Sequence, residues 1–164
     1  GTSGFGGEFG HTAVTGGKDP CHCGRRGCLE TEVSHARILA ALGKDSVDLG
    51  DLDDELSKAA ADPTVRAEIQ RQLGVLSGAV GNLISIFNPE IVMLGGFLGS
   101  LYAQAPLVLD TAVARDSFAP ISSNTRIERA QLGSRVHLVG AAELAFMPLL
   151  RDPAGFIREA SHSS

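Results

Sequence analysis

The sequence predicts an α/β fold, with strands and helices alternating along the chain. Three features carry that expectation. A long amphipathic stripe runs from Pro63 to Phe87, a short apolar run from Glu90 to Leu94 follows it, and an alternating run lies at Thr125 to Ala130, with helical patterns between and beyond them.

From Gly1 to Gly10 the chain is too rich in glycine for a helix and reads as a loop and strand edge where backbone approaches something closely. A domain rarely starts this way, so the chain is expected to begin inside a larger fold. Between Leu29 and Leu42, Val33, Ile38, Leu39 and Leu42 suit a helix that Gly43 stops. An acidic connector, Asp48 to Asp54, leads into a short helix near Leu52 to Ala60. Asp62 and Pro63 then supply an N-cap and a first-turn proline. Val65, Ile69, Leu73, Leu76, Val80, Leu83 and Phe87 make the apolar stripe, with Gly74, Gly78 and Gly81 on an adjoining face. Each of these glycines costs about 1 kcal/mol against Ala, which predicts close approach of a second helix as compensation. Asn88-Pro89 ends the helix. EIVML, from Glu90 to Leu94, is bounded by Pro89 and Gly95-Gly96 and reads as a buried strand. A helix from Ser100 to Arg115, a strand at Thr125 to Ala130 and an apolar helix from Val139 to Leu150 follow. The tail from Arg151 to Ser164 is expected to fray.

The chain has 164 residues and a net charge of −5 without a block of Lys or Arg, so this part is not expected to bind nucleic acid, which rewards a concentrated basic surface. With 43% hydrophobic and 20% charged residues the composition is that of a globular domain with an aliphatic core. No stretch of about 18 apolar residues predicts a membrane span, and the first residues lack the zones of a secretory signal. A cytoplasmic location is therefore expected, where closely spaced cysteines bind metal more readily than they form disulfides.

His11, Cys21, Cys23 and Cys28 are spaced H-x9-C-x-C-x4-C. Zinc favours four tetrahedral nitrogen and thiolate ligands, and one His with three Cys is a common structural set. Gly24 and Gly27 let the chain turn around an ion, and Arg25 and Arg26 offset thiolate charge. Four protein ligands leave no open position, so the zinc is expected to be structural. The alternative is a set of reduced thiols or a redox pair, and His22 competes with His11 as the fourth ligand. His35 reads as an ordinary surface or core histidine.

The run GEFGHTAV, Gly7 to Val14, followed by CHCGRRGCLE, Cys21 to Glu30, resembles the signature of the ROK family of repressors, open reading frames and sugar kinases. NPEIVMLGG, Asn88 to Gly96, and VGAAELA, Val139 to Ala145, resemble later family segments. The resemblance implies the C-terminal portion of an actin-like, RNase H-like two-lobed fold with a zinc-binding loop. Residues 1–164 would be one incomplete domain: the sugar and zinc motif to residue 30, the helices and strands of the lobe to 150, then the tail. It implies His11, Cys21, Cys23 and Cys28 as zinc ligands and Glu8, His11 and Glu30 as sugar contacts. A carboxylate can accept from two vicinal hydroxyls, and a metal-bound histidine presents its second ring nitrogen outward. Gly95 and Gly96 match a glycine stretch that faces ATP and its magnesium in the kinases. Phe97 stands where a third glycine is usual, against close approach to a phosphate.

Three functions are open at this level. The first is the sugar-binding portion of a ROK transcriptional regulator, whose DNA-binding domain lies upstream. The second is part of an ATP-dependent sugar kinase of the glucokinase type. The third is a zinc-stabilised interaction module. Phe97 and the ending GAAELAF resemble regulators more than kinases and favour the first. The phosphate-holding D-x-G-G-T motif and the sugar-deprotonating Asp of the kinases are expected upstream, so this part alone is not expected to be a kinase. A homo-oligomer is expected.

Overall fold

Helix α4, Pro63–Phe87, organises the structure, a computed structural model that describes residues 2–117 and 123–154. The Asp62 carboxylate accepts from the backbone N–H of Thr64 at 2.7 Å and of Val65 at 3.4 Å, which caps two free donors, while Pro63 needs none. At the other end Asn88 takes the left-handed conformation, φ 46°, and stops the helix. Val65, Ile69, Leu73, Leu76 and Val80 are buried as the stripe predicts. Beyond them the buried position is Ile84 rather than Leu83 or Phe87, and Phe87 is exposed. The expected helix approach over the glycine face occurs at Gly81 alone, where a Cβ would lie 2.6 Å from Ser117 Oγ. Among the described residues nothing lies within 4 Å of such a Cβ at Gly74 or Gly78.

The remaining elements of residues 2–131 pack around that helix. The predicted Leu29–Leu42 helix is two helices, α1 Leu29–Glu32 and α2 His35–Leu42. Ser34 sits between them in extended conformation, and its hydroxyl accepts from Arg37 N at 3.4 Å, which starts a new helix rather than continuing the old one. The buried Gln72 of α4 holds this break, accepting from Ser34 N at 3.0 Å and donating to Ser34 O at 3.2 Å. Gly43, φ 65°, ends α2 as expected. Helix α3, Leu52–Lys58, contributes the fully buried Leu52 and Leu56.

Strand β1, Ile91–Leu94, pairs in parallel with β2, Arg126–Arg129, in the register Ile91 to Arg126. The strand is not buried throughout as expected: only Leu94 is buried, Ile91 and Val92 are partly so and Met93 is exposed, because successive side chains point to opposite faces. Parallel strands need a crossover, and the crossover includes α5, Gly96–Gln104, and α6, Pro106–Asp116. The predicted single helix over Ser100 to Arg115 therefore starts four residues early and breaks at Ala105. Pro106 disfavours a helical conformation in the residue before it, and the two helices meet at 95°. Among the described residues no single helix is long and apolar enough to cross a membrane. The bent α5–α6 pair is apolar because Leu101, Leu109 and Val113 belong to the core.

Residues 132–154 form a second unit, containing α7, Val136–Arg151, which carries Pro148 within its last turn. The tail expected to fray lies largely outside the described residues.

Candidate metal centre

The expected N-terminal loop is a chain of turns. A 3-10 turn, Phe9–His11, begins at Glu8, and His11 N donates to Glu8 O at 3.1 Å. Two isolated antiparallel bridges, Ala13 to Cys28 and Pro20 to Arg26, fold residues 12–28 back on themselves. Gly27 is required there: its φ is 71°, and a Cβ would lie 2.5 Å from Gly17 O. This hairpin-like loop brings His11 up to the three cysteines that follow it.

The ligand atoms of His11, Cys21, Cys23 and Cys28 all lie within 4.8 Å of one another. Cys23 Sγ is 3.6 Å from Cys28 Sγ, and Cys21 Sγ is 3.6 Å from His11 Nδ1. A tetrahedral zinc with its usual bond lengths requires S–S edges of about 3.8 Å and S–N edges of about 3.6 Å. The two closest edges match those values, and the donor set of one nitrogen and three sulfurs is one that zinc accepts. His22, the competing ligand, has Nδ1 3.9 Å from Cys21 Sγ but groups with His11 and Glu30 instead of with Cys23 and Cys28.

Glu30 is the second residue of α1, at the edge of this cluster. Its Oε1 accepts from the Cys21 thiol at 3.0 Å and lies 3.4 Å from His11 Nδ1 and 3.1 Å from His22 Nδ1. The hydrogen bond to Glu30 pushes the Cys21 thiol up to about 12 and holds the Glu30 carboxyl below its ordinary range. Cys23 is drawn down to about 6, first by a backbone hydrogen bond at Arg25 and then by the Arg25 side chain. Arg25 also donates to His11 O at 2.7 Å, so the arginine expected to offset thiolate charge ties both ends of the cluster together. Cys21 and Cys28 are buried while Cys23 is exposed.

Sequence reasoning missed the acid that anchors this loop. Glu32, 7% exposed, accepts from Lys18 N at 2.8 Å and Asp19 N at 3.2 Å, just before the first cysteine. Its second oxygen lies 3.3 Å from the Arg37 guanidinium and 3.7 Å from that of Arg71 on α4. The only local signal was an acid set between the core residues Leu29 and Val33.

The other expected site residues are placed separately. Glu8 is exposed and lines an apolar groove of about 960 Å³ between the N-terminal loop and the Gly74, Gly78 and Ile86 face of α4. Gly95 and Gly96 stand at the start of α5, where Gly96 has φ 52°. Phe97 is partly buried against the core, with its ring 5.7 Å from that of His35.

The ROK family profile matches residues 1–147. The chain is 30% identical over 171 aligned positions to a xylose repressor of Caldicellulosiruptor bescii, covering 93% of this chain and 42% of that protein. Among solved structures, a ROK family transcriptional regulator, a homologue of the E. coli MLC protein, matches with TM-score 0.60 and 21% identity over 74% of this chain and 33% of its own. A ROK family glucokinase from Streptomyces griseus, solved with glucose and AMPPNP, matches with TM-score 0.62 and 22% identity over 84% of this chain and 50% of its own. The chain thus spans less than half the length of that repressor and shares the actin-like fold of these kinases and regulators. It belongs to the ROK family.

Proposed function

We propose that this chain is the sugar-binding portion of a ROK transcriptional regulator of carbohydrate metabolism, built around a structural zinc ion. The observation that carries the reading is the junction at His11. Its Nδ1 lies 3.6 Å from the Cys21 sulfur and 3.4 Å from Glu30 Oε1, so the candidate metal cluster directly adjoins an acid suited to sugar hydroxyls. His11, Cys21, Cys23 and Cys28 would hold the zinc, whose contribution is to fix the loop. A coordinated thiol is deprotonated, which would remove the Cys21 donor from Glu30 and open one acceptor position of that carboxylate to a sugar hydroxyl, with His22 still 3.1 Å away.

Glu8, His11 and Glu30 are the proposed sugar contacts. A sugar that binds one arrangement of the protein more tightly than another shifts the DNA-binding equilibrium by that difference in affinity, and by no more. On this reading DNA is held by another part of the protein, which works in the cytoplasm as a homo-oligomer.

A sugar kinase is the second reading, supported by the likeness to the glucokinase. There Gly95 and Gly96 would face ATP and magnesium. Phe97 argues against it, since its ring packs on His35 where the kinase reading wants open backbone. The full-length protein decides between them when it is given ATP and a panel of hexoses and N-acetyl amino sugars. Sugars that raise the melting temperature without phosphoryl transfer support the regulator. Turnover well above background establishes the kinase. No thermal shift with any sugar leaves a zinc-stabilised interaction module.

A further inference from the structure

The three cysteines are not equivalent. Cys21 is buried with its sulfur on the Glu30 carboxylate, which shields it from attack and keeps a negative charge beside it. Cys28 is also buried, only 1% exposed. Cys23 alone is exposed, and it sits 3.6 Å from the Cys28 sulfur. Closing that gap to a disulfide bond takes about 1.5 Å of movement, within a turn flanked by Gly24 and Gly27, both in the left-handed region.

We propose that Cys23 and Cys28 form a peroxide-sensitive pair, in which Cys23 is the site of attack and Cys28 resolves it. This inference rests on the zinc reading above for its consequence, though not for the pairing itself. The Cys23 thiolate sulfur attacks one oxygen of hydrogen peroxide, the O–O bond breaks and hydroxide leaves, giving a sulfenic acid. The Cys28 thiolate then attacks that sulfur, the S–O bond breaks, a second hydroxide leaves and the S–S bond forms. Two thiolates are oxidised by two electrons and one peroxide is reduced. A dithiol reductant reverses the step by exchange.

Oxidation removes two of the four ligands and leaves only His11 and Cys21, too few for a structural zinc site. The loop that carries His11 and precedes Glu30 then loses its fixed geometry. The device would make sugar response depend on oxidant, with Cys23 as the sensor and the metal as the element released.

The test exposes the zinc-loaded full chain to hydrogen peroxide near one equivalent, follows released zinc with a chromophoric chelator, and maps disulfides by mass spectrometry after alkylation. One zinc released for each Cys23–Cys28 disulfide, restored by dithiothreitol and added zinc, is the expected result. Zinc retained with all three thiols intact under excess peroxide overturns the proposal, as does a map dominated by bonds to Cys21. A chain that takes up no zinc refutes the zinc reading; the disulfide map of that chain still decides the pairing, for or against.

Discussion

Removing the Glu32 carboxylate tests how the metal loop is held to the helical core. In Glu32→Ala the backbone N–H groups of Lys18 and Asp19 lose the acceptor that now lies 2.8 and 3.2 Å away. Each donor left partly buried costs about 1 kcal/mol or somewhat more. Arg37 keeps its pairing with Asp19, and Arg71 keeps Glu68 at 2.7 Å and the Glu32 backbone oxygen at 2.7 Å, so neither arginine is stranded. The loss of their attraction to Glu32 is screened by partial exposure and adds about 1 kcal/mol. The sum is roughly 3 kcal/mol, or a fall in melting temperature of roughly 6–12 °C for a chain of this size. Glu32→Gln keeps one carbonyl oxygen as acceptor and should lose about half as much. The sequence has no Trp, so urea unfolding is followed by far-UV circular dichroism. Competition with a chelator should show weaker zinc retention in the Ala variant, because residues 18–19 lead directly into Cys21. A loss below about 1 kcal/mol, or equal losses for Ala and Gln, would refute the claim that Glu32 acts by accepting from the loop backbone.

Three further outcomes are expected. Gly27→Ala should leave less than half an equivalent of bound zinc by mass spectrometry, because its Cβ would meet Gly17 O at 2.5 Å; Gly24→Ala, also left-handed but with nothing within 4 Å, should cost only about 1–2 kcal/mol and keep its zinc. Asp62→Ala should lower stability by about 1 kcal/mol in urea, with Asp62→Asn recovering most of it, since either side chain can cap Thr64 N. Glu55 is held down to about 2 by Lys44 and then Lys58. Its folded value lies below the unfolded one, so its contribution is present above the unfolded carboxylate range and is lost as pH falls toward 2; Glu55→Gln should flatten that limb of the stability curve between pH 5 and 2. A Gln variant with the same acid limb as the parent would show that the lysines do not act through Glu55.

What the sequence by itself determined is whatever is decided within a few residues. The Asp62 cap, the Gly43 and Asn88 stops and the strand at Ile91–Leu94 all depend on near neighbours, and all were legible. The gathering of His11, Cys21, Cys23 and Cys28 was legible for the same reason, since they are close in sequence and turns bring their ligand atoms within 4.8 Å. The break at Ala105 was also written locally, in Pro106, but the apolar pattern on either side masked it. What only the tertiary structure decided involves partners far apart in the chain. Gln72 holds the α1–α2 break from 38 residues away, and Arg71 reaches Glu32 across 39. Gly81 faces Ser117 while Gly74 and Gly78 face a groove. Such pairings follow from the direction in which each helix leaves its cap, and no periodicity along one segment contains that direction.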